Sequence, residues 1–179
     1  MNKTFFISDT HWGHANVIRF HSRPFKDVDE MNKEMVKRWN AKVSPDDIVW
    51  HLGDFALSPT NYVKFLLHNL NGKLHLCKGN HEKSLIKPAH CRNMLHELVD
   101  YKELNIDGQK VCLMHYPIES WNKKNHGSIH LHGHVHSKGE RFKNTNMIPN
   151  RYNVNCEFWN YEPVTLEEII CQKKTLKIE

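Results

Sequence analysis

Hydrophobic and polar positions follow two rhythms along this chain. The run KTFFISD (3–9) sets three large apolar residues between polar ends, which predicts a short buried strand. Across 29–42, Met31, Met35 and Trp39 recur at four-residue steps, the stripe of an amphipathic helix that Pro45 helps to stop. DIVWHLGD (47–54) predicts a second strand and KLHLCKGN (73–80) a third, each with a glycine near its end. Between them, Ser58-Pro59 has the form of an N-cap followed by proline at the first helical position. Tyr62, Val63, Leu66, Leu67 and Leu70 then supply an apolar face that Gly72 closes.

The second half changes character. After a stretch with helical composition, LVDYKELNI and KVCLMH flank Asp107-Gly108, a hairpin signal that implies an antiparallel pair. SIHLHG and RYNVNCEF predict later strands, and Thr165 with Glu168 forms a capping box for a last helix. The segment holding Gly13 and Pro24 predicts a loop. Strand-helix alternation followed by hairpins predicts an α/β fold, a layered sandwich of two mixed β-sheets flanked by helices. With 179 residues and no repeat or linker, a single domain over 1–179 is expected.

Composition excludes little and raises one question. No apolar run has membrane-spanning length, and the early FFI is cut off by Ser8 and Asp9, so neither a membrane segment nor a signal peptide is expected. The five cysteines lack any CxxC pair and read as reduced thiols of a cytoplasmic protein. A net charge of +5 admits an anionic substrate without marking a nucleic-acid surface. The fifteen histidines raise the prospect of a metal site, because imidazole is the commonest metal ligand among side chains.

Spacing turns that prospect into a candidate. The predicted strands end in Asp9-Thr10-His11, Gly53-Asp54, Gly79-Asn80-His81-Glu82, His115 and Gly133-His134-Val135-His136. Groups beyond the carboxyl ends of α/β strands converge on one crevice. In extended chain, residues two apart point to one side, so Asp9 can share an ion with His11, and His134 and His136 can meet a common site. Mixed oxygen and imidazole donors suit Mn²⁺, Fe²⁺ or Zn²⁺.

The ordered series DTH, GDF, GNHE, MHYP and GHVH resembles the calcineurin-like metallophosphoesterase superfamily, whose pattern is DxH, GDxx, GNH[DE], H and GHxH. SDTHWGHANVI, with RPF and EMN after it, is similar to small stand-alone bacterial and phage-type members. The resemblance implies the metallophosphoesterase fold and two divalent metal ions, with manganese first and iron, zinc or nickel as alternatives. It implies that Asp9, His11 and His136 bind one ion, that Asn80, His115 and His134 bind the other, and that Asp54 bridges both. His81 would face the substrate as general acid. Two ions about 3.5–4 Å apart activate a water for in-line attack on phosphorus, with no covalent enzyme intermediate.

Other residues divide between plain and functional roles. His130 and His132 fall below Gly133 and read as packed imidazoles. Glu82 reads as orienting a neighbour. His14 is a candidate phosphate contact or a surface residue. Arg23 could grip phosphate bidentately or lie on the surface. His51 and His75 read as core, His126 with Trp121 as a less favoured pocket edge, and His21, His68, His90 and His96 as structural.

GDFALSP lacks the second Asp and the Arg of the GDxxDRG found in the superfamily's protein phosphatases, which argues against that activity. The expected partner is a small phosphoester or nucleotide, a phosphodiester ahead of a monoester, with single-strand nucleic acid less favoured. A catalytically silent scaffold of the same fold is the non-enzyme alternative. Specificity is expected in the segments 12–26, 116–128 and 138–150.

Overall fold

The computed structural model describes residues 2–137 and 148–176. Most of the predicted specificity segment 138–150 therefore lies outside the described residues. The chain runs β1 (Thr4–Ile7), α1 (Ala15–His21), α2 (Val28–Lys42), β2 (Ile48–His51), α3 (Thr60–Asn69), β3 (Lys73–Cys77), α4 (Lys83–Ile86), α5 (Ala89–Arg92) and β4 (Glu97–Val99). It continues through β5 (Tyr101–Ile106), β6 (Gln109–Met114), β7 (Ile129–His132), β8 (Arg151–Asn153), β9 (Val164–Thr165) and α6 (Leu166–Leu176). Five strands form one sheet in the order β4-β3-β2-β1-β9, and four form a second in the order β5-β6-β7-β8.

Both sheets are mixed. β1, β2, β3 and β4 run parallel, and β9 closes the edge antiparallel to β1. In the second sheet β5 and β6 form the antiparallel hairpin expected from Asp107-Gly108, and β6, β7 and β8 run parallel. Asp107 and Gly108 both have positive φ, 49° and 84°, as a tight two-residue hairpin turn requires.

The first sheet is covered on both faces, which explains the continuous apolar runs of its central strands β1 and β2, while β3 alternates. Phe5 and Ile7 of β1, Val49 of β2, and Leu74 and Leu76 of β3 pack against the helices through Met31, Met35, Trp39, Val63 and Leu66. Phe6, Trp50 and Cys77, on the other face, meet Val111, Leu113, Ile129 and Leu131 of the second sheet. The two sheets are stitched together at one end. Ser8 N–H donates to Val154 O at 3.0 Å and Cys156 N–H donates to Ser8 O at 3.0 Å. This stitch brings the carboxyl ends of β1 and of β7–β8 to a common rim.

The helices hold local surprises. α1 forms where the sequence predicts a loop. Only Val17 is buried in it, its N-cap His14 makes no side-chain cap bond, and its left-handed C-cap is Ser22 rather than glycine, so the usual signals are missing. α2 begins one residue before the predicted start, on an Asp27 carboxylate that accepts Glu30 N–H at 2.8 Å. α3 begins at Thr60, with Pro59 as its N-cap in place of Ser58. The Thr165–Glu168 capping box forms as expected, with Thr165 N–H to Glu168 Oε2 at 2.7 Å and Glu168 N–H to Thr165 Oγ1 at 3.3 Å. RYNVNCEF is a strand only over β8, then a 3₁₀ turn at Cys156–Phe158.

All five cysteines are free thiols, four of them buried. Among the described residues no helix is long and apolar enough to cross a membrane.

Candidate metal centre

The strand ends converge as their order along the sheets dictates. Asp9 N–H donates to Gly53 O at 2.9 Å, His11 N–H to Asp54 O at 3.1 Å, and Gly133 N–H to His115 O at 2.9 Å. These bonds tie the turns after β1, β2, β6 and β7 into one rim. Four residues there, Asp9 (φ 54°), His11 (φ 51°), Asp54 (φ 57°) and His134 (φ 68°), adopt left-handed backbone despite carrying Cβ atoms. Strain of this kind gathers at functional sites, where neighbours hold it in place.

Two groups of ligand atoms result. In the first, donor atoms of Asp9, His11 and His136 all lie within 4.8 Å of one another. His11 Nε2 faces His136 Nε2 at 3.4 Å, and His136 Nε2 lies 3.8 Å from Asp9 Oδ1. In the second, Asn80 Oδ1 lies 3.1 Å from both His115 Nε2 and His134 Nδ1. Asp54 stands between them. Its Oδ2 is 3.8 Å from His11 Nε2 and its Oδ1 is 3.8 Å from His115 Nε2.

The donor set fits divalent cations. His115 Nδ1 lies 2.7 Å from the Leu52 carbonyl, which can only accept, so this nitrogen carries the proton. Nε2 then presents a lone pair toward the Asn80 side-chain amide at 3.1 Å, and with Oδ1 turned to it the two acceptors together suit a cation. Burial pushes the Asp9 carboxyl up to about 7, against the pull of His136. Burial likewise holds His11 well below the ordinary imidazole range, followed by repulsion from Arg23, His136, His14 and His81. A doubly charged ion would restore the carboxylate and take the neutral imidazole as a ligand.

Glycines make room for this packing. A Cβ on Gly133 would sit 2.5 Å from Asp9 Oδ2, and one on Gly79 would overlap Asp54 Oδ1 and its main-chain nitrogen. Glu82, buried beneath, accepts Phe55 N–H at 3.2 Å and Gly79 N–H at 3.4 Å, so it joins the turns after β2 and β3. Burial, with the Asp54 charge, raises its carboxyl to about 7.

His81 is exposed on the rim, its N–H bonded to Asp54 Oδ1 at 2.9 Å and its ring 5.8 Å from that of His11. His14 is half-buried with its ring 5.8 Å from His11, and burial lowers its basicity, followed by His81 and Arg23. Arg23 departs from both sequence readings. Its guanidinium neither lies on the surface nor faces the crevice: it is buried and committed to Thr10 O at 2.9 Å, Asp9 O at 2.7 Å and Glu157 Oε1 at 3.2 Å.

Of the remaining histidines, His51, His130 and His132 are buried as expected, while His75 is only half-buried and faces Glu97 at 3.4 Å. Trp121 is buried against His130, so it is core rather than pocket edge. Sequence reasoning missed three neighbours of the site. His21 stacks on His136 with centroids 3.7 Å apart. Tyr116 sets its ring against His115 and His134, 4.9 and 4.8 Å away. Glu157 Oε1 lies 2.9 Å from His136 Nδ1. Burial opposes the Glu157 charge, but the His136 hydrogen bond and the His136 and Arg23 charges outweigh it and hold the carboxyl down at about 2. The one signal for Glu157 was an acid near the end of a late strand.

Known proteins resemble this chain over most of its length. The model of the calcineurin-like phosphoesterase superfamily domain matches residues 3–150. An uncharacterized protein of Methanocaldococcus jannaschii is 37% identical over 173 residues, 95% of this chain and 90% of the relative. The Gene 66 protein of Mycobacterium phage D29 is 28% identical over 195 residues, 94% of each chain. Among solved structures, the protein of unknown function AQ665 from Aquifex aeolicus superposes with a TM-score of 0.75 at 26% identity, covering 96% of this chain and all of that one.

Proposed function

This chain belongs to the calcineurin-like phosphoesterase superfamily and is by that membership a phosphoric ester hydrolase, and from this premise we propose that it cleaves a small phosphodiester, such as a nucleotide-like molecule, with two divalent metal ions. The observation that carries the reading is the bridging posture of Asp54, with one carboxylate oxygen turned to each ligand group at 3.8 Å. In this reading Asp9, His11 and His136 hold one ion, Asn80, His115 and His134 hold the other, and Asp54 spans both. The mixed carboxylate, amide-oxygen and imidazole donors suit manganese, iron or zinc alike, and manganese is put first on the family resemblance. Bound there, the ions would activate water and offset the charge gathering on the phosphate oxygens.

The protein's own groups then divide the remaining work. His81, anchored through its main chain to Asp54 yet exposed at its ring, gives a proton to the departing oxygen. His14, its ring 5.8 Å from that of His11, is the candidate contact to a phosphate oxygen. Tyr116 and Phe20 are 39% and 52% exposed, the first against His115 and His134 and the second 6.2 Å from His14. Exposed aromatic faces on the two flanks of the crevice support a substrate with a planar group, as a nucleobase has.

The deciding experiment compares bis-p-nitrophenyl phosphate with p-nitrophenyl phosphate in Mn²⁺, using Asp54→Asn as control. Metal-dependent diester cleavage that Asp54→Asn abolishes is the expected result. Faster monoester cleavage would replace the diesterase reading with a phosphomonoesterase. Turnover confined to oligonucleotides would make it a single-strand nuclease. Two bound ions with no turnover of any of these would favour the silent scaffold.

A further inference from the structure

We propose that Glu157, held by Arg23, is a positioning residue that sets the tautomer and aim of His136 and, through the same ion pair, the shape of the Asp9–His11 turn. The inference rests on the reading of Asp9, His11 and His136 as a metal-binding group. It goes beyond that reading, because Glu157 lies outside the segment 3–150 that matches the family and belongs to none of its motifs.

The geometry is that of a saturated buried carboxylate. The Glu157 side chain is 2% exposed. Its Oε1 lies 2.9 Å from His136 Nδ1 and accepts Nε–H and Nη2–H of Arg23 at 3.2 Å each. Its Oε2 accepts the Ser137 N–H and Oγ–H at 3.1 Å each. A carboxylate flanked by so many donors can only accept, so His136 must carry hydrogen on Nδ1. When the ring is neutral, Nε2 is left with its lone pair directed at Asp9 Oδ1 and His11 Nε2. Stacking on His21 at 3.7 Å fixes the plane of the ring about that axis.

Arg23 carries the constraint to the other ligands. Asp9 and His11 are both left-handed, and the carbonyls of Asp9 and Thr10 point to the buried side of that turn. Arg23 is 3% exposed and donates Nη2–H to Asp9 O at 2.7 Å and Nη1–H to Thr10 O at 2.9 Å. One guanidinium therefore braces the turn that bears two ligands, while its counter-ion orients the third. Partners of this kind, bonded to the far nitrogen of a ligating histidine, typically contribute 10–100-fold to metal affinity.

The test uses the full chain with Glu157→Gln and Glu157→Ala. Ring ¹⁵N spectra of the EDTA-stripped protein at pH 8.5 report the His136 tautomer, and calorimetric titration with Mn²⁺ reports how many ions bind and how tightly. We expect the Nδ1–H form in the wild type and a mixed or Nε2–H form in the variants. We also expect one binding event weakened about 10- to 100-fold while the other keeps its affinity. Wild-type His136 in the Nε2–H form would overturn the proposal. So would variants that melt earlier in EDTA yet keep both the tautomer and both affinities, since the role would then be structural alone. A wild type that binds fewer than two ions would defeat the dinuclear reading, whereas the tautomer spectra would still decide the role of Glu157. Should Glu157→Ala fail to fold, Glu157→Gln preserves size and carries the test.

Discussion

Asp54 Oδ1 accepts the main-chain N–H of His81 at 2.9 Å, so the carboxylate that spans the two ligand groups also anchors the residue best placed to protonate a leaving group. The anchor is on the backbone, which leaves the exposed imidazole free to act while its origin stays fixed. His81→Ala should therefore spare metal binding. The loss of kcat should depend on the leaving group, reaching roughly 10²–10⁴-fold for an alkoxide and staying small for p-nitrophenolate, which departs without help. Equal losses for both leaving groups would remove His81 from the proton-transfer role.

Gly79 and Gly133 test whether the crevice depends on close approach. An added methyl group at Gly133 meets Asp9 Oδ2 at 2.5 Å, and at Gly79 it overlaps Asp54. Neither obstacle is a flexible chain end, because both carboxylates are buried among fixed neighbours. Gly133→Ala and Gly79→Ala should each weaken Mn²⁺ binding by at least tenfold, with a fold cost of about 1–3 kcal/mol from overpacking. A calorimetric titration that matches the wild type would show that the rim can yield.

Much of this arrangement was legible in the sequence because the candidate ligands follow strand ends. Asp9, Asp54, Asn80, His115 and His134 each sit within a few residues of an apolar run, and apolar runs in a doubly covered sheet are the most readable signal a sequence offers. What stayed hidden depends on tertiary closure. Arg23 looked like a surface or phosphate-binding residue because nothing local shows that the Asp9–His11 turn has buried carbonyls to satisfy. Glu157 and His21 reach His136 across 21 and 115 positions of sequence, distances over which no periodicity carries information. α1 escaped notice because a helix of seven residues with one buried side chain has little pattern to show.

Arg23 should also matter for stability independently of metal. Its removal leaves the Glu157 carboxylate buried without its guanidinium, takes the donor from the Thr10 carbonyl, and leaves the Asp9 carbonyl with the weak Cys156 Sγ–H at 3.4 Å. Breaking a buried pair from one side typically costs about 3–5 kcal/mol. Arg23→Ala should lower the unfolding free energy by roughly that amount in EDTA, and Arg23→Lys, which keeps charge but not the planar fork, by less. Denaturant midpoints within experimental error of the wild type would show that the guanidinium is replaceable by water.

Acid should destabilise the fold through histidines that bind no metal. Burial drives His130 down to about 4, although the Cys112 and Tyr116 carbonyls pull the other way, and drives His51 down to about 3, with added repulsion from His115. Both folded values lie below the ordinary 6.5, so the unfolded chain takes up these protons first. The contribution is complete above about pH 6.5 and is lost as pH falls toward 4 for His130 and toward 3 for His51. By pH 5 each would have cost about 2 kcal/mol. Urea unfolding between pH 7 and 4.5, in EDTA so that metal release plays no part, should show this loss set against an opposite gain from Asp9 and Glu82, whose carboxyls at about 7 take up protons in the folded state first. His130→Gln should reduce the slope of that loss by about one proton, even though the variant starts from a lower stability at pH 7. If wild type and variant lose stability in parallel, His130 is protonated in the folded state and its burial does not control the acid limit.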